Sequence, residues 1–137
     1  CTDTFSGDLI EAMRWAISMQ RIHRQGNVLD ARTVLDWATR EGAQAIGLGD
    51  VVGSLEVGKR ADLVLLDASA PSLAPMVDGY GVLVHSASGH DVDTVVIDGR
   101  VVLQGGRPTL ADGSAIARDA QSVARRQWNR AGRDVIG

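Results

Sequence analysis

Gly53 and Gly58 bracket Ser54-Leu55-Glu56-Val57, and beyond Lys59-Arg60-Ala61-Asp62 the chain enters the apolar run Leu63-Val64-Leu65-Leu66. Glycine reaches backbone conformations closed to other residues, so a turn is predicted at each end of the four-residue stretch. Lys59 and Arg60 are expected to form a solvated step, and residues 61–67 a buried strand that Asp67 closes. A second β signal lies downstream. Asp93-Thr-Val-Val-Ile-Asp98-Gly99-Arg100-Val-Val-Leu103 is two β-branched runs joined by Asp-Gly, the dipeptide that best tolerates the positive φ angles of a type I′ hairpin turn. Whatever its helices do, this chain has to build a sheet.

Helical periodicity lies on both sides of these strands. From Asp8, a candidate N-cap, the residues Leu9, Met13, Ala16, Ile17 and Ile22 recur at three- to five-residue steps, with Arg14, Arg21 and Arg24 elsewhere on the wheel, until Gly26-Asn27 ends the pattern. A second helix is predicted from Asp30, whose carboxylate can accept from a free first-turn amide, through Val34, Leu35, Trp37, Ala38 and Ala45-Ile46 to Gly47 or Gly49. Gly42 weakens its middle by roughly 1 kcal/mol relative to alanine, but with Ala43 it lets a neighbour approach closely. Residues 68–89, with Pro71 and Pro75, read as loop plus a short helix over about 76–86. A last helix starting near Asp112 or Ser114 places Ile116, Ala120, Val123, Ala124 and Gln127 in one stripe beside Trp128. Arg125, Arg126 and Arg130 crowd its C-terminal turns, where the helix dipole favours cations.

Composition narrows the function classes. The chain's 137 residues are 45% hydrophobic, enough for a domain with its own core. A formal charge of -3, with both signs interspersed, argues against a nucleic-acid stripe or a polybasic membrane patch. Aromatic content of 4% leaves no stacking platform for bases. No apolar stretch approaches the ~20 residues that span a bilayer and no charged-then-apolar leader opens the chain, so the expected compartment is the cytoplasm. The single cysteine, Cys1, has no internal disulfide partner and is not expected to act as a catalytic thiol, which needs a nearby base and a fixed backbone.

The run Gly53-Ser-Leu-Glu-Val-Gly-Lys-Arg-Ala-Asp-Leu-Val-Leu resembles the signature of the metal-dependent amidohydrolases that begins the C-terminal return of their small β-sandwich. The 93–103 hairpin resembles the last pair of sandwich strands of the same family, and the stretch from Asp30 to Leu48 resembles the helix that closes its catalytic barrel. The order and gaps match from Asp3 to about Trp128, most like the branch of cytosine and guanine deaminases, adenosine-derivative deaminases and triazine hydrolases. The resemblance implies an α/β chain that is the C-terminal portion of a TIM-barrel enzyme. Residues 1–50 would be the end of the barrel, with strand 8 and the following helices, 51–107 the C-terminal half of the composite β-sandwich, and 108–137 a terminal helix.

Cys1-Thr2-Asp3 resembles the Gly-Thr-Asp or Gly-Ser-Asp at the C-terminal end of the eighth barrel strand, with Cys1 where the family has glycine. The resemblance implies that Asp3 touches the catalytic metal, expected to be zinc with iron as the alternative, and handles the proton of the metal-bound water. The end of a barrel strand is where such a carboxylate faces the active-site mouth. The family's other ligands are histidines upstream of anything present here. His23, His85 and His90 do not replace them, since zinc needs three or four converging ligands. Phe5, Ser6 and Asp8 occupy a loop that could meet substrate, although capping explains Ser6 and Asp8 equally well.

The expected function is therefore that of the tail of a hydrolase acting on non-peptide carbon–nitrogen bonds, which deaminates or dechlorinates a nucleobase-like or triazine-like ring. Without the barrel the chain is expected to be inactive and to bind no metal, and to pair with the N-terminal portion of the enzyme or with itself. The alternative is a non-catalytic binding or oligomerisation module descended from such a tail. A third reading, an unrelated small α+β domain, predicts that the strands form a compact sheet covered on one face by all three helices.

Overall fold

The computed structural model describes residues 6–23 and 29–132. Helix α1, Leu9–His23, starts where Asp8 accepts from the Ile10 amide (2.9 Å) and the Glu11 amide (3.3 Å), as the capping signal predicted. The second helix begins on its expected cap, with Asp30 accepting from the Thr33 amide at 2.7 Å. It runs as α2, Ala31–Asp36, then a π-turn over Trp37–Glu41, then α3, Gly42–Ala45. The π-turn was not foreseen. Its wider coil brings the Trp37 carbonyl so close to Gly42 that a Cβ there would sit 2.8 Å from the oxygen.

Gly53 and Gly58 have φ of 95° and 98°, the left-handed conformations expected on either side of Ser54–Val57. Gly53 also lies against the second helix, where an added Cβ would be 2.7 Å from the Ala43 Cβ. The small pair Gly42-Ala43 thus has the close neighbour it was read as allowing.

Strand β1 is Leu63–Leu66. A 3-10 turn at Pro71–Leu73, helix α4 at Gly79–His85 and a second 3-10 turn at Gly89–Asp91 follow, so the short helix falls inside its expected window. Strands β2, Val92–Ile97, and β3, Arg100–Gln104, form the predicted hairpin, with Asp98 and Gly99 both at positive φ, 50° and 75°. A two-residue β4, Arg107–Pro108, completes an antiparallel sheet in the order β1-β2-β3-β4. Helix α5, Gly113–Arg130, is capped by Asp112, which accepts from the Ser114 and Ala115 amides.

The core lies among the helices. Met13 and Ile17 of α1, Val34 of α2 and Val84 of α4 are 0% to 6% exposed and pack together, with Ile10, Leu35 and Ala38 around them. Burying an aliphatic side chain of this size stabilises by about 1.5–3 kcal/mol, so four of them hold this cluster together. No residue of the sheet or of α5 belongs to it. The apolar strand expected to be buried is instead half open, with Val64 58% and Leu65 48% exposed. A sheet covered on one face by three helices, which the unrelated-domain reading required, is not what forms.

Candidate functional site

Asp3, the one residue expected to be both catalytic and metal-binding, lies outside the described residues with Cys1, Thr2 and Phe5. Downstream of it, Ser6 accepts from the Asp8 amide through its hydroxyl oxygen at 3.1 Å, and Asp8 caps α1. Asp8 therefore has the capping role that the residues alone suggested, while Ser6 braces the turn just before it.

Asp8 does more than cap. While Oδ1 accepts from the first turn of α1, Oδ2 accepts from the Gly89 amide at 2.7 Å, across 81 positions of sequence. Partial burial works against its charge, but the amides of Gly89, Glu11 and Ile10 and the nearby Arg14 cation outweigh that and hold the carboxyl below its ordinary range. Arg14, expected on the open side of the wheel, is instead half-buried. Its Nε donates to the Val84 carbonyl at 3.0 Å and its Nη2 to the Ala87 carbonyl, at the C-terminal end of α4 where carbonyls lack helical partners.

Asp91 bridges two segments of the chain. Its Oδ1 accepts from the Ser72 hydroxyl at 2.6 Å and its Oδ2 from the Ser88 amide at 2.8 Å, and these bonds keep its carboxyl below the ordinary range. Local spacing could not have revealed Arg14 or Asp91, because their partners are fixed only once the chain has folded.

Lys59 is a correction. Instead of a solvated step, its side chain is 15% exposed, and Nζ donates to the Gly49 carbonyl at 2.7 Å and to the Ser54 hydroxyl at 2.6 Å, with Glu56 3.5 Å away. A signal was present in the sequence, since Lys59 is the only lysine among fourteen basic residues. A compact ammonium on a flexible stem converges on a small cage of oxygens more readily than a planar guanidinium. Arg60 remains exposed, 3.6 Å from Asp98. The next two residues meet the hairpin tip: the Ala61 carbonyl accepts from the Gly99 amide at 3.0 Å and Asp62 from the Asp98 amide at 2.6 Å. The two stretches that carried the family resemblance are thus bonded to each other.

His23, His85 and His90 are exposed and scattered, and among the described residues no group of three or more His, Cys, Asp or Glu could hold a metal ion. The described residues do not fit a complete metal centre. No described helix is long and apolar enough to cross a membrane.

The model of the amidohydrolase family matches residues 1–102. This chain belongs to that family. Among curated relatives, the 5-methylthioadenosine/S-adenosylhomocysteine deaminase of Desulforudis audaxviator is 45% identical over 121 residues, 87% of this chain and 28% of that protein. The 5'-deoxyadenosine deaminase of Methanosarcina acetivorans is 36% identical over 90% of this chain and 28% of its own length. A crystal structure of an adenosine deaminase from Xanthomonas campestris with bound zinc superposes with a TM-score of 0.82 at 34% identity, covering 86% of this chain and 27% of that one. The atrazine chlorohydrolase of Arthrobacter aurescens complexed with zinc gives 0.73 at 27% identity, over 82% of this chain and 25% of that one. The family and branch read from the motifs are those of these relatives. This amidohydrolase chain spans about 28% of the length of the curated relatives it matches.

Proposed function

We propose that this chain is the C-terminal part of a metal-dependent amidohydrolase that hydrolytically deaminates the purine ring of an adenosine derivative altered at its 5' position. The observation that carries the reading is the 45% identity, sustained over 87% of the chain, to a 5-methylthioadenosine/S-adenosylhomocysteine deaminase. Dechlorination of a triazine ring is the weaker reading, because the likeness to the chlorohydrolase rests on 27% identity. Zinc is the metal we assign to the complete enzyme, in line with the adenosine deaminase structure that contains it. Its remaining ligands would come from outside the described residues.

The contribution of this chain to the chemistry is Asp3. Its carboxylate accepts a proton as water adds to the amine-bearing ring carbon, then delivers that proton to the departing amine. The carbon–oxygen bond forms, the carbon–nitrogen bond breaks, and ammonia leaves. A positioned general acid–base of this kind accelerates a reaction by about 10²–10⁴-fold. The chain by itself is proposed to be inactive, its partner being the barrel portion of the same enzyme. In the complete enzyme, Asp3→Asn should cut ammonia release from 5-methylthioadenosine by at least about 10²-fold. Turnover within twofold of wild type would remove Asp3 from the mechanism.

A further inference from the structure

The second helix has to bury residues in two places. Val34 is 1% exposed and belongs to the cluster shared with α1 and α4, while Ala43 is 6% exposed and lies outside that cluster, against the Gly53 turn. Nine positions separate the two. In an unbroken α-helix, at about 100° per residue, they would stand about 180° apart. The π-turn over Trp37–Glu41 takes up one surplus residue in its wider coil, which leaves about eight α-helical steps and brings the two within roughly 80° of each other.

The same turn builds the place where Gly53 sits. A Cβ on Gly53 would stand 2.7 Å from the Ala43 Cβ, 3.0 Å from the Thr39 carbonyl oxygen and 3.2 Å from the Arg40 Cα, and Thr39 and Arg40 belong to the π-turn. Around Gly53 the chain is knotted to itself: the Val51 and Val52 amides donate to the Leu48 carbonyl at 2.9 and 3.0 Å, and the Arg60 amide donates to the Val51 carbonyl at 2.9 Å. Three residues after Arg60 comes β1, so the seated turn is where the helices hand over to the sheet. Gly42 keeps the coil open, since a Cβ there would meet the Trp37 carbonyl oxygen at 2.8 Å, whereas an α-helix carries a side chain at every position.

We infer that the π-turn is a register latch: it turns Ala43 back toward the face that carries Val34 and offers the Thr39 carbonyl and Arg40 backbone as the seat of Gly53. Reverting it to α-helix rotates Ala43 away by about one residue's turn, roughly 100°, and releases residues 51–60 from the helices. The latch thereby sets how the entry to the sheet is held on the helical core.

The test uses this chain, with urea unfolding for stability and hydrogen exchange followed residue by residue. In an ordinary helix interior, glycine to alanine is stabilising. Here Gly42→Ala is expected to do the reverse, lowering the folded-to-unfolded ratio at least about fivefold, because its Cβ cannot share the π-turn with the Trp37 carbonyl. The amides of Val51, Val52 and Arg60 should also exchange at least about tenfold faster, measured against those of the β2–β3 hairpin, which is no part of the latch. Deleting Arg40 removes the surplus residue and leaves an unbroken α-helix with Val34 and Ala43 still about 80° apart. The shortened chain should keep slow exchange at the three amides and accept Gly42→Ala with a gain of about two- to fivefold. That background is decisive even if Gly42→Ala alone unfolds the full chain. The latch is overturned by stabilisation from Gly42→Ala in the full chain, by unchanged exchange at the three amides in that variant, or by an equal loss from Gly42→Ala in the shortened chain.

Discussion

Ile17, Val34 and Val84 are 0% to 1% exposed where α1, α2 and α4 meet, whereas Val64 and Leu65, in the middle of β1, are 58% and 48% exposed. Both regions are built from the same aliphatic residues, so hydrophobicity does not separate them; geometry does. An amphipathic helix has one apolar stripe, and three such stripes can close on one another. A strand whose four residues are all apolar presents two apolar faces, and it is buried only when layers lie on both sides of its sheet. Among the described residues, the buried cluster formed by the helices includes no residue of this strand. The helix α5 belongs with the sheet in this respect, with Ile116 57% and Val123 46% exposed on its stripe. Under the proposed function, these open faces are surfaces that the rest of the enzyme would cover.

Truncating a side chain in each region is the strongest way to break this comparison. Ile17→Ala should cost about 2–5 kcal/mol and lower the melting temperature of this chain accordingly. Leu65→Ala should cost less than about 1 kcal/mol in the same chain, yet approach the core value in the complete enzyme, since the penalty grows with burial. Equal costs in the isolated chain would mean that the sheet already has a core of its own.

Gly53 lies at the seam between the regions and sharpens the comparison. Gly53→Ala forces a left-handed φ on alanine and drives its Cβ against Ala43, at a cost of about 1–3 kcal/mol by chemical denaturation. Adding Ala43→Gly should recover the part of that loss owed to Ala43 and leave the conformational part and the crowding against the Thr39 carbonyl oxygen, 3.0 Å away. Lys59→Met, which removes the ammonium from its cage, should cost about 1–2 kcal/mol. Lys59→Arg should not rescue it, because a planar fork does not converge on the same oxygens.

Much of this architecture was legible locally. Asp30, Asp98-Gly99 and Asp112 act within a few residues of themselves, so spacing alone located two helix starts and a hairpin. Arg14 and Asp91 answer to partners far away in the chain, and nothing in their surroundings distinguishes an anchor from a solvated residue. The exposure of β1 was illegible for another reason: an apolar run announces that it is made to be buried, not which chain supplies the cover. The π-turn depends on how Trp37 and Gly42 sit in three dimensions, which residue-level propensity does not encode. For the candidate site, motif order pointed to Asp3, whereas the bonds of Asp8 and Arg14 to residues 84–89 became visible only in the folded chain.

A smaller effect separates the regions by pH. Asp8 ionises more readily folded than unfolded, so its contribution to stability is fully present above its unfolded value of about 3.9 and is lost as pH falls through the lower folded value. The stability difference between wild type and Asp8→Asn should therefore hold from neutral pH to about pH 5 and fade as pH falls through the lowered folded value, as read by urea titration. The exposed pair Arg60–Asp98 should matter least: Arg60→Gln is expected to change stability by less than about 0.5 kcal/mol.

The central claim is that the sheet and α5 present surfaces made to be covered by another part of the enzyme. Native mass spectrometry of this chain, with metal analysis of the same sample, tests it most directly. The account predicts that the chain travels either with a larger polypeptide and its zinc, or as a metal-free self-associated species held by those faces. A monodisperse, stable monomer would contradict it, because open strands such as β1 would then have proved content in water.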